Sequence, residues 1–153
     1  MRIILVRHGE TTWNIEGRYQ GQEDTPLSER GLRQGHLLAE GLHHIPIDVC
    51  ISSPLQRSYQ TCKFCADLHK LPVATDERLL EINHGSWEGV LAPEIWPSNF
   101  RTEFALWHTR PHLVQMPDGG ESWRMCASVR ALPLTIMLPN ISIRLCWLLR
   151  MMQ

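Results

Sequence analysis

The sequence predicts an α/β domain built on a mostly parallel β-sheet. Short, continuous apolar runs rich in β-branched residues occur at 2–6 and 48–52. Such runs are typical of strands buried on both faces, as in a parallel sheet. A segment with helical spacing of its apolar residues follows each run. With 153 residues, the chain is expected to form one domain, long enough to bury a sizeable core.

The composition excludes several classes of function. The formal net charge is −1, so nothing indicates a nucleic-acid partner or an anionic membrane surface. No apolar run reaches 18 residues, and the start lacks a basic segment followed by an apolar signal core, so neither a membrane span nor a leader is expected. The five cysteines are irregularly spaced, which favours a reducing, cytoplasmic location over a disulfide framework. Cys62 and Cys65 lack a second pair of ligands and indicate core residues rather than a zinc or redox site.

The run 2–6 is the first predicted strand, and Arg7, His8 and Gly9 follow at its carboxyl end. Ligands of open α/β sheets bind at the carboxyl ends of strands. A neutral imidazole can attack phosphorus and form a covalent intermediate. A guanidinium can hold a phosphate with two parallel hydrogen bonds, and a glycine lets the backbone approach a bulky group. For the tripeptide alone, an ordinary polar loop is the simpler interpretation.

Residues 28–43 predict a helix. Ser28 is a suitable N-cap, and Pro46 ends any continuation. Apolar residues at helical spacing define the face expected to be buried: Leu32, Leu38, Ala39 and Leu42. Glycines within the segment weaken the prediction, since each costs about 1 kcal/mol relative to alanine in a helix interior.

Residues 48–52 predict a second buried strand, and Pro54 opens the helix that follows it. The apolar stripe expected on that helix consists of Leu55, Tyr59, Cys62 and Ala66. Arg57 lies in its first turn, beside free backbone N–H groups that favour anions. A solvated surface arginine is the competing interpretation. Residues 72–75 predict a third strand.

The remaining chain is more irregular. Glycines and polar residues predict a loop over 83–89, and residues 92–111 predict helical pieces broken by Pro93, Pro97 and Pro111. Three aromatic residues are the expected apolar anchors of those pieces: Phe100, Phe104 and Trp107. His108 and His112 are expected at the surface.

Three groups of residues together resemble the histidine phosphatase superfamily, the phosphoglycerate mutase-like group. The first is Arg7-His8-Gly9-Glu10-Thr11, with Asn14, Gly17-Arg18, Gln20-Gly21, Asp24 and Pro26-Leu27-Ser28 after it. The second covers residues 52–58 and Thr61, and the third is an acid, Glu81, before Gly85-Ser86-Trp87-Glu88-Gly89. The resemblance implies a three-layer α/β/α sandwich of phosphoglycerate mutase-like topology, in which residues 92–111 form a lid. Residues 118–122 resemble the family's Gly-Glu-Ser turn, which implies a helix that starts at Ser122, a suitable cap.

The resemblance also implies a reaction. His8 attacks phosphorus, while Glu81 protonates the leaving oxygen and then activates water. The residues it assigns to the phosphate are Arg7, Gly9, Asn14, Gln20, Gly21 and Arg57. No metal or cofactor is implied, because arginines supply the positive charge. Two alternatives stay open: Glu81 pairs with Arg78, or the acid is Glu77 or Glu88.

The substrate implied is a small phosphomonoester. The string Glu81-Ile82-Asn83-His84-Gly85 looks most like members that act on metabolites such as phosphoserine. His84 is then either a packed core histidine or a donor to a substrate carboxylate. Phosphoglycerate mutase-type transfer is the alternative reaction, which the short spacing between Glu81 and Glu121 disfavours. A homodimer is compatible with the family.

The chain changes character after Ser122. Residues 1–121 carry all 16 acidic side chains, whereas 122–153 hold four arginines and no acid. The second histidine that the resemblance places opposite the nucleophile has no counterpart, because His112 is the last histidine. We therefore expect a family domain at 1–122, incomplete at its C-terminus, and a divergent tail at 123–153 produced by a frameshift or truncation. Without that histidine the barrier should rise by about 3 kcal/mol, roughly 10²–10³ in rate, and an inactive phosphate-binding remnant is the alternative.

Overall fold

The structure, a computed structural model, describes residues 2–122 and the backbone of two strands beyond them. The helices are α1 (Thr12–Glu16), α2 (Glu29–Leu42), α3 (Gln56–His69), α4 (Ala92–Ile95) and α5 (Arg101–Thr109). The strands are β1 (Cys50–Ser52), β2 (Val73–Thr75), β3 (Leu134–Leu138) and β4 (Ile141–Ile143). Single 3₁₀ turns lie at Glu77–Leu79, Gly85–Trp87 and Pro111–Leu113.

Strands β1 and β2 form a parallel pair joined by α3. Their register runs from Cys50 opposite Val73 to Ser52 opposite Thr75. The predicted strands at 48–52 and 72–75 are therefore confirmed in shorter form, and so is the parallel sheet. Strands β3 and β4 pair antiparallel in a separate two-stranded sheet. The helix predicted after Ser122 lies outside the described residues, as does most of the tail at 123–153.

The prediction of a buried first strand at 2–6 is wrong. Residues 2–8 have no strand assignment, and Ile3, Ile4, Leu5 and Val6 are 43%, 39%, 61% and 46% exposed. In the described part of the chain, β1 pairs with β2 and no strand lies beside this run. Apolar and β-branched residues favour a strand only where a neighbouring backbone completes the ladder and a layer covers the faces.

Helix α2 is confirmed, but its buried face differs from the prediction. The Ser28 side chain accepts a hydrogen bond from the Gly31 N–H at 3.0 Å. Ala39 is buried as predicted and Leu38 and Leu42 are half-buried, but Leu32 is exposed. Gly31 and Gly35, which were not predicted, are buried as well. A Cβ at Gly35 would overlap the Phe64 ring of α3. The small residues therefore form the contact face because they let α2 approach α3 closely, a use of glycine that helix propensity does not report.

The main apolar core lies under the helical segment that follows the 83–89 loop. It consists of Ile82, Trp87, Ile95, Val114 and Met116. The predicted anchors pack against it from α5 and its start: Phe100, Phe104 and Trp107. The prolines break this segment as expected, since Pro93 lies in the first turn of α4 and Pro111 begins the last 3₁₀ turn. His108 and His112 are exposed, as predicted.

The described cysteines are packing residues. Cys50 and Cys65 are buried and Cys62 is half-buried, all as free thiols. Burial raises the pKa of Cys62 to about 12, so its thiol stays protonated and unreactive at neutral pH. Cys126 and Cys146 lie outside the described residues. Within the described chain, no helix has both the length and the apolar character to cross a bilayer.

Two glycines of α2 provide a matched test of the close packing. A Cβ at Gly31 would overlap the carbonyl oxygen of Glu10, whereas a Cβ at Gly41 would meet nothing within 4 Å. Gly31→Ala should lower the free energy of unfolding by about 1–3 kcal/mol through overpacking. Gly41→Ala should raise it by up to about 1 kcal/mol through helix propensity. Urea denaturation measures both, and equal shifts in one direction would contradict the packing described.

Candidate active site

His8 is held in a defined tautomer at the start of the site. Its Nδ1 lies 2.7 Å from the carbonyl oxygen of Gly9. A carbonyl only accepts, so Nδ1 carries the proton and Nε2 keeps its lone pair. Burial lowers the pKa of His8, and the positive charges of Arg57 and Arg7 lower it further. The hydrogen bond to Gly9 and the charge of Glu81 act on this pKa in the opposite direction. The ring is therefore neutral and nucleophilic near pH 7.

Gly9 ties the His8 loop to two helices. Its N–H donates to the Thr61 hydroxyl at 3.0 Å, and that hydroxyl donates to the Arg57 carbonyl at 2.7 Å. A Cβ at Gly9 would lie 2.6 Å from the carbonyl oxygen of Gly31. The close approach that requires glycine is thus to the backbone of α2. The role of Thr61 was not predicted, although it belongs to the second sequence motif.

Arg57 is a buried cation with no contacting carboxylate among the described residues. It is 1% exposed, so the surface interpretation is wrong. Its Nη1 donates to the Glu23 carbonyl and its Nη2 to the Gly21 carbonyl, each at 2.7 Å. Its Nε is buried and has no partner in the described part of the chain. Burial lowers the pKa of Arg57, whereas the negative charges of Glu81, Asp24 and Glu88 raise it in part.

A buried guanidinium with an unused donor indicates an anion site. Leaving a buried polar group without a hydrogen bond costs about 1–3 kcal/mol, and more for a charged one. An anion next to Nε would supply both the acceptor and the opposite charge. Arg7 adds a second cation near His8, and it is exposed, with no hydrogen bond or ion pair to any described residue.

Glu81 lies within electrostatic reach of the other groups. Its negative charge raises the pKa of His8, of Arg57 and of His84. One carboxylate therefore favours the charged form of all three side chains. The side chain is exposed, and its Oε1 accepts from the Ile82 N–H at 2.9 Å. Arg78, the alternative partner of Glu81, donates two hydrogen bonds from Nε to the Asp76 carboxylate at 2.9 and 3.0 Å.

Asn14 and Gln20 lie in the segment that follows His8, and each carries an amide donor. The Asn14 Oδ1 accepts from the Thr11 N–H at 3.0 Å, which caps α1. The Gln20 Oε1 accepts from the Thr25 and Thr11 hydroxyls at 2.7 Å. Their amide oxygens therefore accept hydrogen bonds within the protein, and their –NH₂ groups have no partner among the described residues.

His84 is packed in an aromatic cluster. It is 6% exposed, with Tyr19 and Trp107 meeting its ring edge-on at 5.2 and 5.3 Å between centroids. Burial lowers its pKa, against the charge of Glu81. Its Nδ1 is buried with no partner in the described chain. The ring therefore has the environment of a packed histidine, and its buried Nδ1 lacks a hydrogen-bond partner among the described residues.

A cavity of about 300 Å³ borders His8. Its lining includes Arg7, His8 and Gly9 on one side and Gln34 and Leu38 of α2 on the other. Among the residues the structure describes, no group of three or more His, Cys, Asp or Glu could hold a metal ion. Arg7 is the charged side chain in the lining of this space, and neither Arg57 nor Glu81 belongs to it.

Comparisons with known proteins agree with this chemistry. A profile of the histidine phosphatase superfamily, branch 1, matches residues 3–133. "Phosphoserine phosphatase 1" of Hydrogenobacter thermophilus is 44% identical over 122 residues, which are 80% of this chain and 57% of that protein. "Probable phosphoglycerate mutase GpmB" of Yersinia pestis is 49% identical over 88 residues, 58% of this chain and 41% of that one.

Solved structures show the same likeness. A mycobacterial glucosyl-3-phosphoglycerate phosphatase in complex with VO₃ superimposes with a TM-score of 0.73 at 34% identity, covering 81% of this chain and 60% of that one. The chain thus spans about half the length of the curated relatives it matches. The fold of the described part is that of phosphoglycerate mutase-like phosphatases.

The proton affinity of His8 provides a test that needs no substrate. In the free protein, the His8 ring should titrate below the ordinary histidine value, because burial and two arginines disfavour the imidazolium. Arg7→Gln should move the midpoint upward, since it removes one of those charges. Arg2→Gln, an exposed arginine in the same run, is the control. NMR titration of the ring measures all three, and a midpoint that Arg7→Gln leaves unchanged would contradict the electrostatic account.

Proposed function

Because the chain belongs to the histidine phosphatase superfamily, branch 1, we propose that it is a metal-independent phosphomonoester hydrolase. The observation that carries the proposal is Arg57, a fully buried cation with an unused Nε donor beside a histidine held neutral with Nε2 free. A site with those two groups favours a dianionic, electrophilic ligand, which describes a phosphomonoester.

The proposed reaction has two displacements. The Nε2 lone pair of His8 forms a bond to phosphorus as the ester oxygen leaves with a proton from Glu81. Glu81 then takes a proton from water, and the oxygen of that water displaces Nε2 and releases phosphate. Arg7 and Arg57, with the amide groups of Asn14 and Gln20 and the backbone near Gly9 and Gly21, hold the phosphoryl oxygens. The rate gain comes from positioning and charge stabilisation.

The substrate we propose is a small phosphomonoester that carries a carboxylate, such as phosphoserine. One relative is named a phosphoserine phosphatase. In this chain His84 has a buried Nδ1 without a partner among the described residues, and Glu81, the proposed acid, lies within its electrostatic range. A donor at that place would recognise a carboxylate attached near the reacting phosphate.

Two observations favour competing functions. The exposed apolar run at 2–6 favours an inactive phosphate-binding protein. The relative named a probable phosphoglycerate mutase favours phosphotransfer. A cytoplasmic location and a homodimer stay predictions.

The first test is hydrolysis of p-nitrophenyl phosphate and phosphoserine in the presence of a chelator. Wild type should turn over, and His8→Ala should lose at least about 10³-fold in kcat, because the nucleophile is gone. His112→Ala, an exposed histidine, is the control. Trapping with ³²P-labelled substrate should label wild type but not His8→Ala. Turnover that survives in His8→Ala would contradict the phosphohistidine route, and a cooperatively folded, inactive wild type that binds phosphate would favour the binding protein.

The role of Glu81 is tested by the leaving group. An alkoxide leaves poorly without a proton, whereas 2,4-dinitrophenolate leaves readily. Glu81→Gln should therefore lower kcat for phosphoserine by about 10²–10⁴-fold and lower it far less for 2,4-dinitrophenyl phosphate. Glu77→Gln, an exposed acid nearby, should change neither. Equal losses on both substrates would assign Glu81 to binding rather than to proton transfer.

A further inference from the structure

Glu88 joins two loops of the site through a single oxygen. Its Oε1 accepts the Gln22 N–H and the His84 N–H, each at 2.9 Å. From the sequence, Glu88 is one of the weaker candidates for the general acid. The structure shows its carboxylate occupied by two backbone donors from segments 66 and 4 residues away, which is the pattern of a group that fixes geometry.

We propose that Glu88 is a positioning residue, whose carboxylate holds residues 20–23 in the conformation that orients the Arg57 guanidinium. We call residues 20–23 the arginine-holding loop. The proposal rests on the proposed function, since it concerns the arginine assigned to the phosphate. It gives Glu88 no contact with the substrate and no proton to transfer.

The orientation of Arg57 depends on that loop. Both terminal nitrogens of the guanidinium donate to its carbonyls, Nη1 to Glu23 and Nη2 to Gly21. A guanidinium is planar, so two bonds at its far end fix the plane in which Nε lies. The position of the unused donor is thus set by the backbone of the arginine-holding loop.

The loop in turn is shaped around Glu88. Gly21 has a positive φ of 55°, and a Cβ there would overlap the Glu88 Oε1. The glycine therefore lets the backbone pass close to the carboxylate and present the Gln22 N–H to it. A second tie joins the Gln22 Nε2 to the Glu81 carbonyl at 3.0 Å. Glu88 thus links the segment that carries the proposed acid to the loop that holds the arginine.

Three substitutions separate hydrogen bonding from charge. Glu88→Gln keeps an oxygen at the same reach for both N–H groups and removes the charge. Glu88→Asp keeps the charge and withdraws the oxygen by one methylene. Glu88→Ala removes both. Positioning through hydrogen bonds predicts that Gln rescues, whereas a role in charge or proton transfer predicts that it fails.

The kinetic arm measures kcat/KM on phosphoserine and 2,4-dinitrophenyl phosphate. Glu88→Ala and Glu88→Asp should lose about 10–10²-fold on both substrates alike, since misplacing a binding group by about 1 Å costs on that order. Glu88→Gln should stay within about threefold of wild type, as should the control Glu94→Ala, an exposed acid on α4. A loss confined to phosphoserine, or a Gln variant as impaired as Ala, would overturn the proposal.

The second arm does not depend on activity. The Arg57 Nε–H should give an ordered, slowly exchanging NMR signal in wild type and Glu88→Gln, and exchange faster in Glu88→Asp. If wild type hydrolyses nothing but shows this pattern, the proposed function fails and the positioning role stands. If Glu88→Ala does not fold, the comparison of Gln with Asp still decides. Equal exchange in wild type, Gln and Asp would overturn the positioning role even in an active enzyme.

Discussion

The site depends on a positive charge taken out of water. Arg57 is almost completely buried, and its terminal nitrogens are satisfied by backbone carbonyls rather than by a carboxylate. Carbonyls accept hydrogen bonds but do not neutralise charge, so the charge is balanced only from a distance by Glu81, Asp24 and Glu88. Removing an ion from water costs several kcal/mol even in a relaxed protein interior. The fold bears that cost at Arg57, and an anion beside Nε would relieve part of it.

The same burial gives His8 its nucleophilic form. Desolvation lowers the proton affinity of the ring, and the two arginines act in the same direction. The two arginines proposed to bind the phosphate therefore also favour the unprotonated form of the proposed attacking nitrogen. The Gly9 carbonyl completes the arrangement, because it accepts a hydrogen bond from Nδ1–H and so leaves the lone pair on Nε2.

Local signals in the sequence were sufficient for part of the fold. They failed where an element forms only if a segment distant in the sequence packs beside it. The Ser28 cap and the apolar runs around Cys50 and Val73 act within a few residues, and the structure confirms the elements they predict. The run at 2–6 has an equally strong local signal, but a strand exists only with a neighbour. Motif resemblance pointed to Arg57 but not to its burial, because burial depends on which backbone closes over the side chain.

The placement of His8 does not require the run at 2–6 to be a strand. The loop after His8 is held by helices: Gly9 donates to Thr61 of α3, and the Glu10 carbonyl accepts from the Ser28 N–H at the start of α2 at 2.8 Å. Helices α2 and α3 pack closely on each other through Gly35. Helix packing therefore fixes His8 relative to Arg57, whose carbonyl accepts a hydrogen bond from the same Thr61 hydroxyl. An exposed apolar run and an ordered anion site can thus coexist in one chain, because the contacts that build the site begin at Gly9.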